Sequence, residues 1–169
     1  DLFTQNIVVP YAIRMLENAG AGVFTPRDRD WQKNEAIVDN DAPEAGGIYQ
    51  ETNGKYAWNE GGTGFAYRQA YYQDGDNPFM DGSCRVIESV TGRKEPSTAL
   101  WCPVVPEDGD YAVYVSYRTF PNSVDDARYI VRHQGIDTPF TVNQKMGGGT
   151  WGYLGTFRFD AGDLNNNCV

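Results

Sequence analysis

Between residues 111 and 161 the chain alternates apolar and polar side chains so regularly that little except a β-sheet can result. Tyr111, Val113, Val115 and Tyr117 alternate with Ala112, Tyr114, Ser116 and Arg118, the period of a pleated strand with two unlike faces. Tyr129, Val131 and His133 alternate with Arg128, Ile130 and Arg132. The run Gln134, Gly135, Ile136 and Asp137 supplies a reversal, and Thr138, Phe140 and Val142 resume beyond it, which predicts a hairpin with a short loop. Met146, Gly147, Gly148 and Gly149 break the chain again. Residues 153–159 then read as the last strand, with Tyr153, Phe157 and Phe159 on one face.

A chain of 169 residues suits a domain with a real core. Its 19 Gly and 11 Tyr fit a β domain with many turns. The net charge of -9 makes nucleic acid and anionic membrane surfaces poor partners. No apolar run reaches the length a transmembrane helix needs. Asp1 is not preceded by a basic-then-apolar leader, so a signal peptide is expected to lie outside this chain. The cysteines are Cys84, Cys102 and Cys168, with no C-x-x-C spacing to suggest a zinc knuckle. Cys84 and Cys102 flank a polar loop. They are read either as a disulfide of an exported protein or as two buried thiols, and Cys168 is left over.

The N-terminal part has a different character. Over residues 3–19, Ile7, Tyr11 and Met15 fall four apart beside Val8, Ala12 and Leu16, an apolar stripe of helical period interrupted by Pro10. Asn18, Ala19 and Gly20 form a plausible stop. Residues 22–25 make a short apolar strand ended by Pro26. Helix, turn and strand are half of an α/β unit, so a domain boundary is placed near the charged residues 28–35. Further on, Gly46-Gly47 and Asn53-Gly54 mark turns, and Gly61, Gly62, Thr63 and Gly64 read as a loop after Tyr56, Ala57 and Trp58. Residues 83–90 read as a hairpin arm. Residues 98–104 read as a strand that leads through Pro106, Glu107, Asp108 and Gly109 into the Tyr111 strand.

Two resemblances are carried by particular residues. Tyr114 to Tyr117, Ala127 to His133, Phe140-Thr141-Val142-Asn143-Gln144 and Gly149-Thr150-Trp151-Gly152-Tyr153-Leu154-Gly155-Thr156-Phe157-Arg158-Phe159 follow one another as in the golvesin C-terminal-like domain. That family is also described as a xanthan-lyase-type carbohydrate-binding-like domain. The resemblance implies a sandwich opened by Ala36-Ile37-Val38-Asp39-Asn40. The family continues past the Asn-rich turn with a further strand, so the domain is expected to be truncated at its C-terminal end. Leu16-Glu17-Asn18-Ala19-Gly20-Ala21 and Val23-Phe24-Thr25-Pro26-Arg27-Asp28-Arg29-Asp30 resemble the first long helix and second strand of zinc-dependent N-acetylmuramoyl-L-alanine amidases, with Pro26 as a departure. That resemblance implies a zinc-dependent parent enzyme, but none of the family's zinc ligands can be placed on this chain.

The candidate chemistry is sparse. His133 is the only imidazole, on a strand, with no residue at motif spacing to it. Gly147 to Thr150 lacks the Lys-Ser/Thr of a phosphate loop and joins two strands. Asp39-Asn40-Asp41 and Asp74-Gly75-Asp76-Asn77 offer oxygen ligands to Ca²⁺ without EF-hand spacing, and the same residue types are ordinary turn formers. Trp58, Tyr67, Tyr71, Trp151 and Tyr153 supply flat faces of the kind that stack on sugar rings, although a sandwich also needs large inward residues.

The resulting expectation is a mainly β protein: residues 36–169 form an antiparallel β-sandwich of jelly-roll type, preceded by residues 1–35 as a helix-strand segment of an α/β, amidase-like domain. The expected role is a non-catalytic glycan-binding or structural accessory module of an extracellular or cell-envelope enzyme. Its partners are a cell-wall glycan or another polysaccharide and the remainder of the parent amidase. No cofactor belongs to this chain, zinc belonging to the parent. The alternatives are a polysaccharide lyase or hydrolase, for which no Tyr/His/Arg set or carboxylate pair stands out, and a purely structural or protein-interaction insert.

Overall fold

The structure, a computed structural model, describes residues 35–42, 46–64 and 82–169. The chain divides between Asn34 and Glu35. The helix expected over residues 3–19, the strand over 22–25, and the amidase-like segment up to Asn34 lie outside the described residues. Among the described residues every regular element is a strand: β1 (Gly47–Thr52), β2 (Asn59–Gly64), β3 (Gly82–Val86), β4 (Thr98–Pro103), β5 (Gly109–Ser116), β6 (Ala127–His133), β7 (Ile136–Val142) and β8 (Trp151–Phe159). They form antiparallel pairs, β1 with β4, β2 with β3, β5 with β8 and β6 with β7. This is the mainly β, antiparallel class that the alternation predicts.

The β6–β7 hairpin follows directly from its turn. Gln134 and Gly135 have φ of 49° and 75°, so both central residues are left-handed. That is the two-residue turn whose twist matches the flanking strands, and it fixes His133 opposite Ile136. Two strands were not legible. In β1, Ile48 is 42% exposed while Tyr49 and Glu51 are half-buried, so the alternation runs against hydrophobicity. In β2, residues 61–64 are strand rather than loop. The register slips between Glu60 and Thr63, and Gly62 sits at φ 84° in the resulting bulge.

The strand pairs are joined at the chain's last residues. Trp101 and Val169 exchange both backbone hydrogen bonds, at 2.9 and 2.8 Å, and Arg132 and Cys168 do the same at 2.7 and 3.1 Å. Residues 168–169 therefore lie between β4 and β6, antiparallel to both, and merge β1–β4 and β6–β7 into one layer. The β5–β8 ribbon packs across it. Val105, Val113, Val131 and Phe159 are buried between the layers, with Tyr111, Phe140, Leu154, Phe157 and Val169 against them. Phe157 meets Phe140 edge-on at 6.0 Å, and the His133 ring lies 4.8 Å from it. His133 is thus a packed residue of the inner face, its Nε2 3.0 Å from the Thr138 hydroxyl.

The disulfide differs from the one expected. Cys102 is bonded to Cys168, and Cys84 is a free thiol. The reason is register: with Trp101 opposite Val169, one step along both strands puts Cys102 opposite Cys168. Cys84 lies instead on β3, which pairs with β2.

Cys102→Ala with Cys168→Ala should lower stability by about 4 kcal/mol, the loop-entropy value for a separation of 66 residues. Non-reducing peptide mapping should recover Cys102 and Cys168 in one linked fragment and Cys84 alkylated. A Cys84–Cys102 fragment would mean that the terminal pairing is wrong.

Candidate functional site

The outer face of the β5–β8 ribbon is built by a one-residue irregularity. From Phe159 back to Gly155, β8 pairs with Gly109 to Val113, and Phe159 and Phe157 point inward. The next pair is Tyr114 with Tyr153, so Leu154 is an extra residue on β8. Leu154 turns toward the core, as does Gly155, where an added Cβ would meet the Phe157 ring at 2.8 Å. The bulge resets the alternation. Tyr153, expected on the same face as Phe157 and Phe159, is turned outward and is 56% exposed. Trp151, two residues away and opposite Ser116, shares its face and is half-buried.

That face also holds an aromatic residue that the sequence reading passed over. Tyr114, 50% exposed, stands opposite Tyr153, with ring centroids 5.3 Å apart and planes inclined by 47°. The Tyr153 hydroxyl lies 2.8 Å from Thr156 Oγ1, which ties the ring's tip to the strand. Trp151, Tyr153 and Tyr114 form a stripe that Ser116 and Thr156 flank with hydroxyls. Farther along, Asp110 and Arg158 face each other. Flat apolar rings with hydroxyl neighbours suit the apolar faces and equatorial hydroxyls of sugars.

Trp58, also expected among the ring-bearing residues, is engaged elsewhere. Trp58 donates its indole N–H to the Thr98 carbonyl at 3.1 Å, and its backbone N–H to Asn53 Oδ1, pinning the loop before β2 to β4. Tyr67 and Tyr71 lie outside the described residues, as do Asp74, Asp76 and Asn77.

A second, polar feature is a groove of about 560 Å³ lined by Asn40, Asp41, Tyr49, Glu51, Glu60, Ser83 and Arg85. Arg85 grips Glu51 with two bonds, Nε to Oε1 at 2.6 Å and Nη2 to Oε2 at 2.9 Å, and Tyr49 donates to Glu51 at 2.5 Å. The Arg85 hydrogen bond holds the Glu51 carboxyl below its ordinary range. Burial, then the bond to Glu51, pushes the Tyr49 hydroxyl well above its own. Tyr49 and Arg85 are thus both engaged with Glu51, and the described lining of the groove holds no histidine. Asp39 and Asp41 serve the turn into β1. Asp39 accepts from the Asp41 N–H at 2.8 Å, while Asp41 accepts from the Ser83 N–H and hydroxyl. Asp39 Oδ1 and both Asp41 carboxylate oxygens, among those considered for Ca²⁺, therefore accept from protein donors. Among the described residues no cluster of His, Cys, Asp and Glu is arranged to hold a metal.

Comparison with known proteins follows the β unit. The family model described as the Golvesin C-terminal domain matches residues 81–167. A xanthan lyase of Bacillus sp. (strain GL1) is 33% identical over 69 residues, which are 41% of this chain and 7% of that protein. The solved structure of a Paenibacillus xanthan lyase superposes with a TM-score of 0.50 at 26% identity, over 81% of this chain and 12% of that one. The chain thus spans only a small part of the length of these relatives.

Asp39 is 8% exposed, and burial raises its carboxyl from 3.8 to about 6. Between those values the unfolded chain releases a proton that the folded chain keeps, so stability falls as pH rises through the window. The melting temperature of the wild type relative to Asp39→Asn, whose side-chain oxygen can still accept from Asp41, should fall from about pH 4 to about pH 6 and then level. A difference that stays constant across that range would show an ordinary carboxyl.

Proposed function

The chain belongs to the golvesin C-terminal domain family, and from that premise we propose that its β unit is a non-catalytic, glycan-binding accessory module of an extracellular polymer-acting enzyme. The observation that carries the reading is the outward stripe of Trp151, Tyr153 and Tyr114. Two of its rings stand half or more exposed where a sandwich would otherwise place polar residues. The similarity to proteins named xanthan lyase supports a polysaccharide as ligand. The Cys102–Cys168 disulfide supports an oxidising, extracytoplasmic location. Within the groove, Glu51 is held by both Arg85 and Tyr49 and is not left free as a base, which supports a binding role there.

The identity of the parent enzyme rests on sequence alone. Residues 16–30 resemble an N-acetylmuramoyl-L-alanine amidase, which makes peptidoglycan glycan the second polymer to consider beside xanthan.

Affinity electrophoresis of the wild type in gels containing xanthan or solubilised peptidoglycan should show retardation in at least one. Tyr114→Ala with Tyr153→Ala should weaken that binding by at least about tenfold, or about 1.4 kcal/mol, with little change in thermal melt because both rings are exposed. Undiminished retardation of the double variant would remove the stripe from the reading. Free migration of the wild type in both gels would remove the glycan.

A further inference from the structure

We infer that the aromatic stripe selects a single glycan chain free in solution, engaged over several consecutive sugars, and not the surface of a crystalline polysaccharide. The inference rests on the glycan-binding reading above and names the physical form of its ligand. The deciding observation is the inclination of the Tyr114 and Tyr153 rings, 47° at a centroid separation of 5.3 Å. Crystal faces present their sugar rings in one plane and reward coplanar aromatic residues. A free chain rotates about each glycosidic bond, so successive sugar faces turn relative to one another. Inclined rings can follow that rotation, whereas on a flat lattice only one of the pair can lie face-on.

Three further features fit the same ligand. The hydrogen-bonding distance between the Tyr153 and Thr156 hydroxyls fixes where the tip of that ring stands, so less of its freedom is lost on contact. Trp151 is placed two residues farther along β8, roughly 7 Å from the Tyr153 row at the rise of a strand, and extends the stripe beyond the reach of one sugar. Ser116, opposite Trp151, and Thr156, bonded to Tyr153, add hydroxyls beside the rings, which complements a polyhydroxylated chain.

The test uses the polymer that retards the protein, hydrolysed and separated into fragments of increasing length, with titration calorimetry as the readout. Affinity should rise by about tenfold or more from the single sugar to fragments of about three units, then level, because each added ring contact is an added increment of binding. Tyr114→Ala should flatten that rise. Co-sedimentation with microcrystalline cellulose and crystalline chitin should be negligible. Full affinity for a single sugar, or sedimentation with crystals that excess soluble fragments do not reverse, would overturn the inference while leaving glycan binding intact. Binding to no polymer at all would overturn both.

Discussion

The fold depends on what happens at two residues. Cys168 and Val169 give their backbone hydrogen bonds to β6 on one side and β4 on the other, and a disulfide fixes the same crossing covalently. Without that pairing, β1–β4 and β6–β7 are separate two-stranded ribbons, and a lone ribbon is marginal in water. With it they make one layer wide enough to cover the β5–β8 ribbon. Val169 itself packs on Val105, Val113, Val131 and Phe159. Backbone pairing, the disulfide and part of the core therefore converge on one short stretch, so these contributions are not independent.

A second constraint positions the candidate site. β8 must bury Phe157 and Phe159 at one end while presenting Tyr153 and Trp151 to the outside at the other, and strict alternation cannot do both. Leu154 is the added residue that resolves the conflict. It puts a leucine where the core has room and shifts everything before it to the opposite face. Gly155 beside it accepts the Phe157 ring against its bare backbone. Site and core are thus coupled through one bulge, which is more precise than a loop because both strands that hold it are paired along their length.

Much of this was legible in the sequence. The alternation of Tyr111 to Ser116 and of Arg128 to His133, and the turn at Gly135, correspond to β5, β6 and the hairpin with little adjustment. The facing of Tyr153 was not, because counting by twos assumes an uninterrupted pleat. The signal was present, though: a glycine inside a strand pattern, here Gly155, is a common sign of a bulge. Tyr114 was passed over for the same reason, since its importance lies in its partner across the ladder and cross-strand register is not a local property. The Cys102–Cys168 pair depends on register too, between segments 66 residues apart. β1 and β2 escaped notice because their sequences do not follow burial. Tyr49 and Glu51 point inward to a polar network, and the glycines of β2 carry no hydrophobic pattern.

The left-handed pair at Gln134 and Gly135 bears on the order in which the molecule assembles. A two-residue reversal brings neighbouring segments together at almost no loop-closure cost, so β6 and β7 can zip on the microsecond scale before distant parts of the chain meet. The outer edge of β6, bearing Arg132, then waits for Cys168, which ribosomes make later. During that interval the edge is an unpaired template beside the exposed side chain of Ile130. Arg128 flanks that isoleucine in β6 on one side, and on the other Arg132 is already held by Asp137 of β7 through two bonds, at 2.7 and 3.1 Å. Until Cys168 arrives, that edge is the part of the hairpin open to a wrong strand partner.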